Sequence, residues 1–252
     1  RGITTSSRSC VAKIAAGDPG ELGEIKLFRL ETGEPIADLV RGEDAIFGVA
    51  FSPDGTRLAA CGADRSIRIF DLETNALLVT IEDHADWVLD IAYSPDGKQL
   101  ASASRDKTSK VFNAESGDAQ GTFNGHGDIV YGVAFLPDGK QAVTVGADKT
   151  VRIWNVADSK EARKIGGADQ DLLTLTLLPD ARVASAGADH QVRVHQTGDG
   201  KLVHTLSGHA DWVFASSAHA ATQRLATGSA DGQVRLWNLA DGTLLDEWRA
   251  DQ

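Results

Sequence analysis

The sequence predicts an all-β protein, a propeller of six four-stranded antiparallel blades, and three observations carry that prediction. A Pro-Asp-Gly turn recurs at Pro53-Asp54-Gly55, Pro95-Asp96-Gly97 and Pro137-Asp138-Gly139, in steps of 42 residues, and the next step brings Pro179-Asp180-Ala181. A period of about 40–45 residues is that of a four-stranded propeller blade. A second set of aspartates, Asp64, Asp106, Asp148, Asp189 and Asp231, keeps the same register. A third set marks strand ends at Phe28, Phe70, Phe112, Trp154, His195 and Trp237, and the 252 residues hold six units of 42.

Each unit supplies strands a to d, and the blades fall at about 1–40, 41–82, 83–124, 125–166, 167–207 and 208–252, in one domain. Strand a of the first blade comes from Ile3-Thr-Thr-Ser-Ser, a polar and poorly matched stretch. Its b–c connection is lengthened by Gly17-Asp-Pro-Gly-Glu-Leu-Gly23. The fourth blade reads most clearly, with strands near 130–135, 141–145, 150–154 and 160–165. Val130-Tyr-Gly-Val-Ala-Phe135 and Thr150-Val-Arg-Ile-Trp154 are rich in β-branched and aromatic residues, as strands are. Asp-Gly between such runs marks a tight turn, because glycine adopts positive φ at little cost. The preceding proline donates no ladder bond and suits a strand end. Val88-Leu-Asp-Ile-Ala-Tyr93 is apolar on both faces, as expected of a blade covered on both sides. No stretch sustains a 3.6-residue apolar period. The last run, Thr243-Leu-Leu-Asp-Glu-Trp248, reads as strand d of the sixth blade, with Trp248 covering the rim or closing the ring. A seven-bladed ring, one blade lying outside this chain, is the alternative.

These units resemble the WD40 repeat family, with its Gly-His, aliphatic strand, Ser-Pro-Asp-Gly, Leu-Ala-Ser, Asp turn and Trp-Asp. The clearest copy runs from Gly125-His126 to Trp154-Asn155, and five copies in register span essentially the whole chain. The resemblance implies a buried hydrogen-bonded chain of four residues in a blade. Here the matching sets are His126, Thr144, Asp148 and Trp154, and His209, Thr227, Asp231 and Trp237. The third blade has His84, Ser102 and Asp106, but Phe112 breaks the last link. The second keeps only Asp64, and the fifth keeps Ser185 and Asp189 but has Ala168 and His195. These histidines are read as structural, since buried polar groups require partners. His195 is read as an ordinary blade residue. No zinc-ligand spacing, nucleophile elbow, His-Glu-x-x-His or phosphate-binding glycine loop is present, so no metal, cofactor or catalytic residue is assigned.

Twenty-five basic and 36 acidic residues give a formal charge of −11, which speaks against a nucleic-acid partner. No run of 18 apolar residues could insert into a membrane. The two cysteines, Cys10 and Cys61, fall in different blades and are not expected to pair. The chain opens at Arg1 and contains no methionine, so a processed product or a part of a larger polypeptide is expected. The blade-1 insertion, with Asp86-Trp-Val-Leu-Asp90 and Ser102-Ala-Ser-Arg-Asp106, looks like bacterial WD40 domains of large secreted or periplasmic proteins carrying c-type cytochrome modules. A fused or associated cytochrome and a periplasmic or secreted location follow as expectations.

Function then belongs to loops. The d–a and b–c loops share one face and supply Asp86, Trp87, Asp211, Trp212, Arg65, Arg105 and Lys107 as candidate partner-binding residues. Trp and Arg are frequent interface anchors. The expected function is a non-catalytic scaffold for a protein or peptide partner. The alternatives are a structural spacer and, more remotely, an enzyme in the central channel, where Asp90 is the one charge placed mid-strand.

Overall fold

A computed structural model describes residues 13–16, 23–29, 31–42 and 44–249. It contains six antiparallel sheets in chain order, the blades of a β-propeller. Blade 1 comprises β1 (Lys13–Ala16), β2 (Gly23–Phe28) and β3 (Pro35–Gly42). Its expected strand a, at Ile3 to Ser7, and the inserted loop at 17–22 lie outside the described residues, as does Cys10. Blade 2 comprises β4 (Ile46–Phe51), β5 (Arg57–Gly62), β6 (Ile67–Asp71) and β7 (Leu77–Ile81). Blade 3 comprises β8 (Val88–Tyr93), β9 (Gln99–Ser104), β10 (Ser109–Asn113) and β11 (Ala119–Phe123). Blade 4 comprises β12 (Val130–Phe135), β13 (Gln141–Gly146), β14 (Val151–Asn155) and β15 (Glu161–Ile165). Blade 5 comprises β16 (Leu172–Leu178), β17 (Arg182–Gly187), β18 (Val192–Gln196) and β19 (Leu202–Leu206). Blade 6 comprises β20 (Val213–His219), β21 (Arg224–Ser229), β22 (Gln233–Asn238) and β23 (Leu244–Arg249). A single 3₁₀ turn, Ala220–Thr222, is the only helical element among the described residues.

The Pro-Asp-Gly turns close as the sequence requires. Gly55 and Gly97 adopt φ of 73°, and each donates its N–H to the serine three residues earlier. Asp54 accepts from the Ser52 hydroxyl and from the Thr56 amide, which locks the turn. In blade 5 the glycine is replaced, and Asp180 and Ala181 both take positive φ. Alanine has no hydrogen-bonding side chain to support that conformation.

The core is divided into five clusters, one between each successive pair of blades. Ala59, Cys61, Ile67, Ile69 and Ile81 of blade 2, for instance, pack on Val88, Ile91, Leu100 and Phe112 of blade 3. Buried on both faces, these strands lose the alternation of a one-sided sheet. Blade 6 differs. Trp248 stands where Ile81, Phe123, Ile165 and Leu206 are buried, yet it is 46% exposed. Phe214 on the same blade is 53% exposed. Trp248 therefore neither covers a core nor closes a seam among the described residues.

Each strand a of blades 2 to 6 carries a bulge against strand b, between Ile46 and Gly48, Val88 and Asp90, Val130 and Gly132, Leu172 and Thr174, and Val213 and Ala215. A bulge re-aims the extra residue. Here the re-aimed residues are Phe47, Leu89, Tyr131, Leu173 and Phe214.

Candidate functional site

Loops d–a and b–c lie at one end of the blades. Lys107, in the b–c turn of blade 3, donates to the Gly127 carbonyl of the next d–a loop. Lys149 does the same to Asp169 one blade on. Turns a–b and c–d lie at the other end, where Arg57 donates to the Ala114 carbonyl and Arg182 to Leu239. In blades 2 to 6 the third residue of the b–c turn has positive φ: Arg65, Lys107, Lys149, His190 and Gly232.

Two aromatic clusters stand at the d–a/b–c end. Trp87 is 40% exposed, with the Arg105 guanidinium 4.8 Å from its ring centroid. Arg105 also lies 3.8 Å from Asp86, whose carboxylate accepts from the Trp87 amide. Phe47, the bulge residue of blade 2, reaches Trp87 with ring centroids 5.4 Å apart. Lys107 pairs with Asp128 at 3.6 Å, an exposed contact that contributes little stability. The second cluster is Trp212, 49% exposed, edge-on to Phe214 at 5.9 Å. Asp211 accepts from the Trp212 amide, as Asp86 does for Trp87. Arg65 is exposed and belongs to neither cluster. Trp87 and Trp212 sit three blades apart in the series. Phe47 and Phe214 escape sequence reading, because the bulge residue has no fixed type: it is aromatic in blades 2, 4 and 6 and leucine in blades 3 and 5.

The polar chains lie inside the blades. In blade 6, His209 Nδ1 is 3.0 Å from Asp231 and Nε2 is 2.8 Å from the Thr227 hydroxyl, which also accepts from Trp237 Nε1 at 2.9 Å. A carboxylate only accepts, so Nδ1 carries the proton and Nε2 accepts from threonine. In blade 4, His126 bridges Asp148 and Thr144 in the same way, but Trp154 Nε1 is buried without a partner. The four-residue chain expected there stops at Thr144, because Trp154 instead stacks on Phe123, ring centroids 5.2 Å apart. His84 bridges Asp106 and Ser102 in blade 3. Burial opposes ionisation of Asp148 and Asp106, yet hydrogen bonds from their histidine and threonine neighbours outweigh it. Both carboxyls are held well below the usual range. Asp231, opposed by burial and favoured by the Ala210 and Gln233 amides and His209, falls to about 2.

An arginine four residues after the turn aspartate joins the chain of blade 4 and pairs with the turn aspartate of blades 5 and 2, which have no histidine bridge. Arg152 grips Asp148, Arg193 grips Asp189, and Arg68 grips Asp64. The spacing Asp-x-x-x-Arg was visible in the sequence.

Asp90 lies mid-strand in β8 and ties two blades, accepting from the Val133 amide of blade 4 at 3.0 Å. Burial raises its pKa to about 6 against the pull of the Val133 and Ile91 amides. The folded state therefore binds this proton more tightly than the unfolded chain, and ionisation penalises folding as pH rises through about 6. In urea unfolding, Asp90→Asn should gain about 1 kcal/mol relative to wild type between pH 5 and pH 8. A pH-independent difference between the two proteins would remove this assignment. No cluster of three or more metal-capable side chains forms among the described residues, and no helix is long and apolar enough to cross a membrane.

Comparison with known proteins adds a family. No curated protein matches the chain. The profile of the WD40 family, described as WD domain, G-beta repeat, matches residues 33–71, 75–113, 117–155 and 200–238, more than half of the chain. Each match ends on the third strand of a blade, at Asp71, Asn113, Asn155 and Asn238. Six blades, the Asp-anchored histidines and four matched repeats agree: the chain belongs to the WD40 repeat family.

Proposed function

We propose that this protein is a non-catalytic scaffold that binds a protein or peptide partner on the end formed by its d–a and b–c loops. WD40 repeats generally mediate protein–protein interaction. The observation that carries the choice of end is the half-exposed Trp87, flanked by Phe47 and stacked by Arg105, with a second exposed aromatic pair, Trp212 and Phe214, on blade 6. Exposed indoles beside a guanidinium are the side chains that dominate interface energies. Asp86, Asp211, Arg65 and Lys107 supply a polar surround. The partner is not a nucleic acid, since the chain is acidic at −11.

A photo-crosslinking residue at 87 or 212 should capture the same polypeptide from source cells, whereas one at Leu78 on the outer strand should not. Trp87→Ala with Trp212→Ala should reduce retention of that polypeptide at least tenfold while the chain stays folded. Capture from position 78 alone would move the interface to the rim, and capture from none would favour a spacer role. The finer expectation, a c-type cytochrome module or partner in a secreted or periplasmic bacterial assembly, rests on the blade-1 and blade-3 sequence. Haem staining of the captured polypeptide tests it.

A further inference from the structure

Successive blades meet in one way. The later blade sets an aliphatic residue of strand b and a ring of strand c against the earlier one, as Leu58 and Phe70 do in blade 2 and Leu225 and Trp237 in blade 6. Its c–d turn also closes on strand d of the earlier blade. A side-chain carbon added at Gly117 would meet Val79 at 2.7 Å, at Gly200 Arg163 at 3.2 Å, and at Gly242 His204 at 3.0 Å. Under this cover the residues in the middle of strands b and c of blades 2 to 5 are at most 1% exposed. Their counterparts in blade 6, Ala226, Gly228, Val234 and Leu236, are all partly exposed. Trp248 continues that open face along strand d. Phe214 opens it at the bulge, where Phe47 of blade 2 packs on Trp87 of the next blade.

Blade 1 shows the opposite half of a seam. Phe28 holds the strand-c ring position, which is at most 5% exposed in the other five blades, yet it is partly exposed. Gly33 is the counterpart of Gly117, Gly200 and Gly242, but a side-chain carbon there would meet nothing within 4 Å. Both half-seams lie open together among the described residues, so they do not cover one another. Exposed apolar faces of this extent mark interaction sites.

From these two open half-seams we infer that a four-stranded antiparallel sheet carried by a second polypeptide inserts between blade 6 and blade 1. The completed seams state its chemistry. Toward Trp248 it presents an aliphatic residue of strand b and a ring of strand c, and toward Phe28 a second apolar face. A second copy of this chain does not meet that requirement. Its blade 6 is open on one face and its blade 1 on the other, so neither fills both half-seams. Residues 1–12 are too few for four strands of about five residues each. The insertion needs neither Trp87 nor Arg105 and stands or falls independently of the loop-end reading.

The test adds to the intact chain a synthetic peptide of residues 125–166, which carries Trp154 on one face and Val143, Val145, Val151 and Ile153 on the other. Sedimentation velocity should show saturable binding of one peptide per chain, and hydrogen exchange should slow in both β2 and β23. Trp248→Glu and Phe28→Glu should each weaken binding at least tenfold, whereas Trp87→Ala should leave it unchanged. If either glutamate variant fails to fold, the exchange pattern of the wild-type chain decides. Absence of saturable binding at about 100 μM peptide would overturn the insertion, as would equal binding of the same peptide in scrambled order. Slowed exchange in β23 alone would mean that one face only is covered and would overturn it too. Dimerisation of the chain by itself, abolished by Trp248→Glu, would replace the inserted sheet with a second copy.

Discussion

Asp148→Ala should destabilise the fold by about 3 kcal/mol, and Asp64→Ala by about half as much. Removing one partner of a buried charged pair costs about 3–5 kcal/mol because the other is left uncompensated. Asp148 holds four groups at once: the His126 ring, the Gly127 amide, the Thr150 hydroxyl and the Arg152 guanidinium. His126 is 6% exposed and could not recruit water in its place. Asp64 bonds only to Ser66 and to Arg68, which is partly exposed and can turn to solvent. Urea unfolding of the two variants at neutral pH measures the difference, and equal losses would mean that the histidine bridge contributes nothing beyond an ordinary turn. Asp148→Asn, which keeps an acceptor but no charge, should fall between them.

Acid should unfold the protein through the same carboxylates. Their folded pKa values are depressed, so the stability they contribute is complete above the unfolded value of about 4 and is lost as pH falls through the folded value. That value is about 2 for Asp231 and lower still for Asp106 and Asp148. His209 starts the decline earlier. Burial lowers its pKa against the pull of Asp231, so the unfolded chain takes up the proton first as pH drops below about 6.5. From pH 6.5 to 4 the loss through His209 is opposed by the proton that buried Asp90 takes up in the folded state, so the steep loss falls between pH 4 and 2, and the shallow loss from pH 6.5 to 4 should emerge in Asp90→Asn. Asp231→Asn should start less stable and lose less over the steep part. Parallel profiles for variant and wild type below pH 4 would show that this carboxylate does not drive acid unfolding.

Period and strand composition made the blades legible because each unit repeats one pattern of turn, strand and turn. Strand limits in blade 4 lie within a residue of those expected from Val130, Gln141, Val151 and Glu161. The bulges were hidden, since a single extra residue leaves the hydrophobic pattern almost unchanged. Their products, Phe47 beside Trp87 and Phe214 beside Trp212, are contacts across loops or between blades. Trp154 shows the limit from the other side. Its type and place match Trp237, yet the neighbour Phe123 draws its ring into a stack and its N–H is left alone. His195 reads as an ordinary blade residue in sequence, yet its Nδ1 is buried without a hydrogen-bond partner.

The matched repeats and the sheets are out of phase. Residues 75–113 begin before β7, the outer strand of blade 2, and end with β10, the third strand of blade 3; the other three matches are offset in the same way. Every junction between units therefore runs through a hydrogen-bonded sheet, like bricks laid so that no joint continues through the wall. Pulling two neighbouring units apart means unzipping a strand before any apolar face can separate. Duplication of one unit would also leave no unpaired edge, since the new copy takes over the loose outer strand and offers one of its own. Growth by whole units and resistance to tearing come from the same half-step.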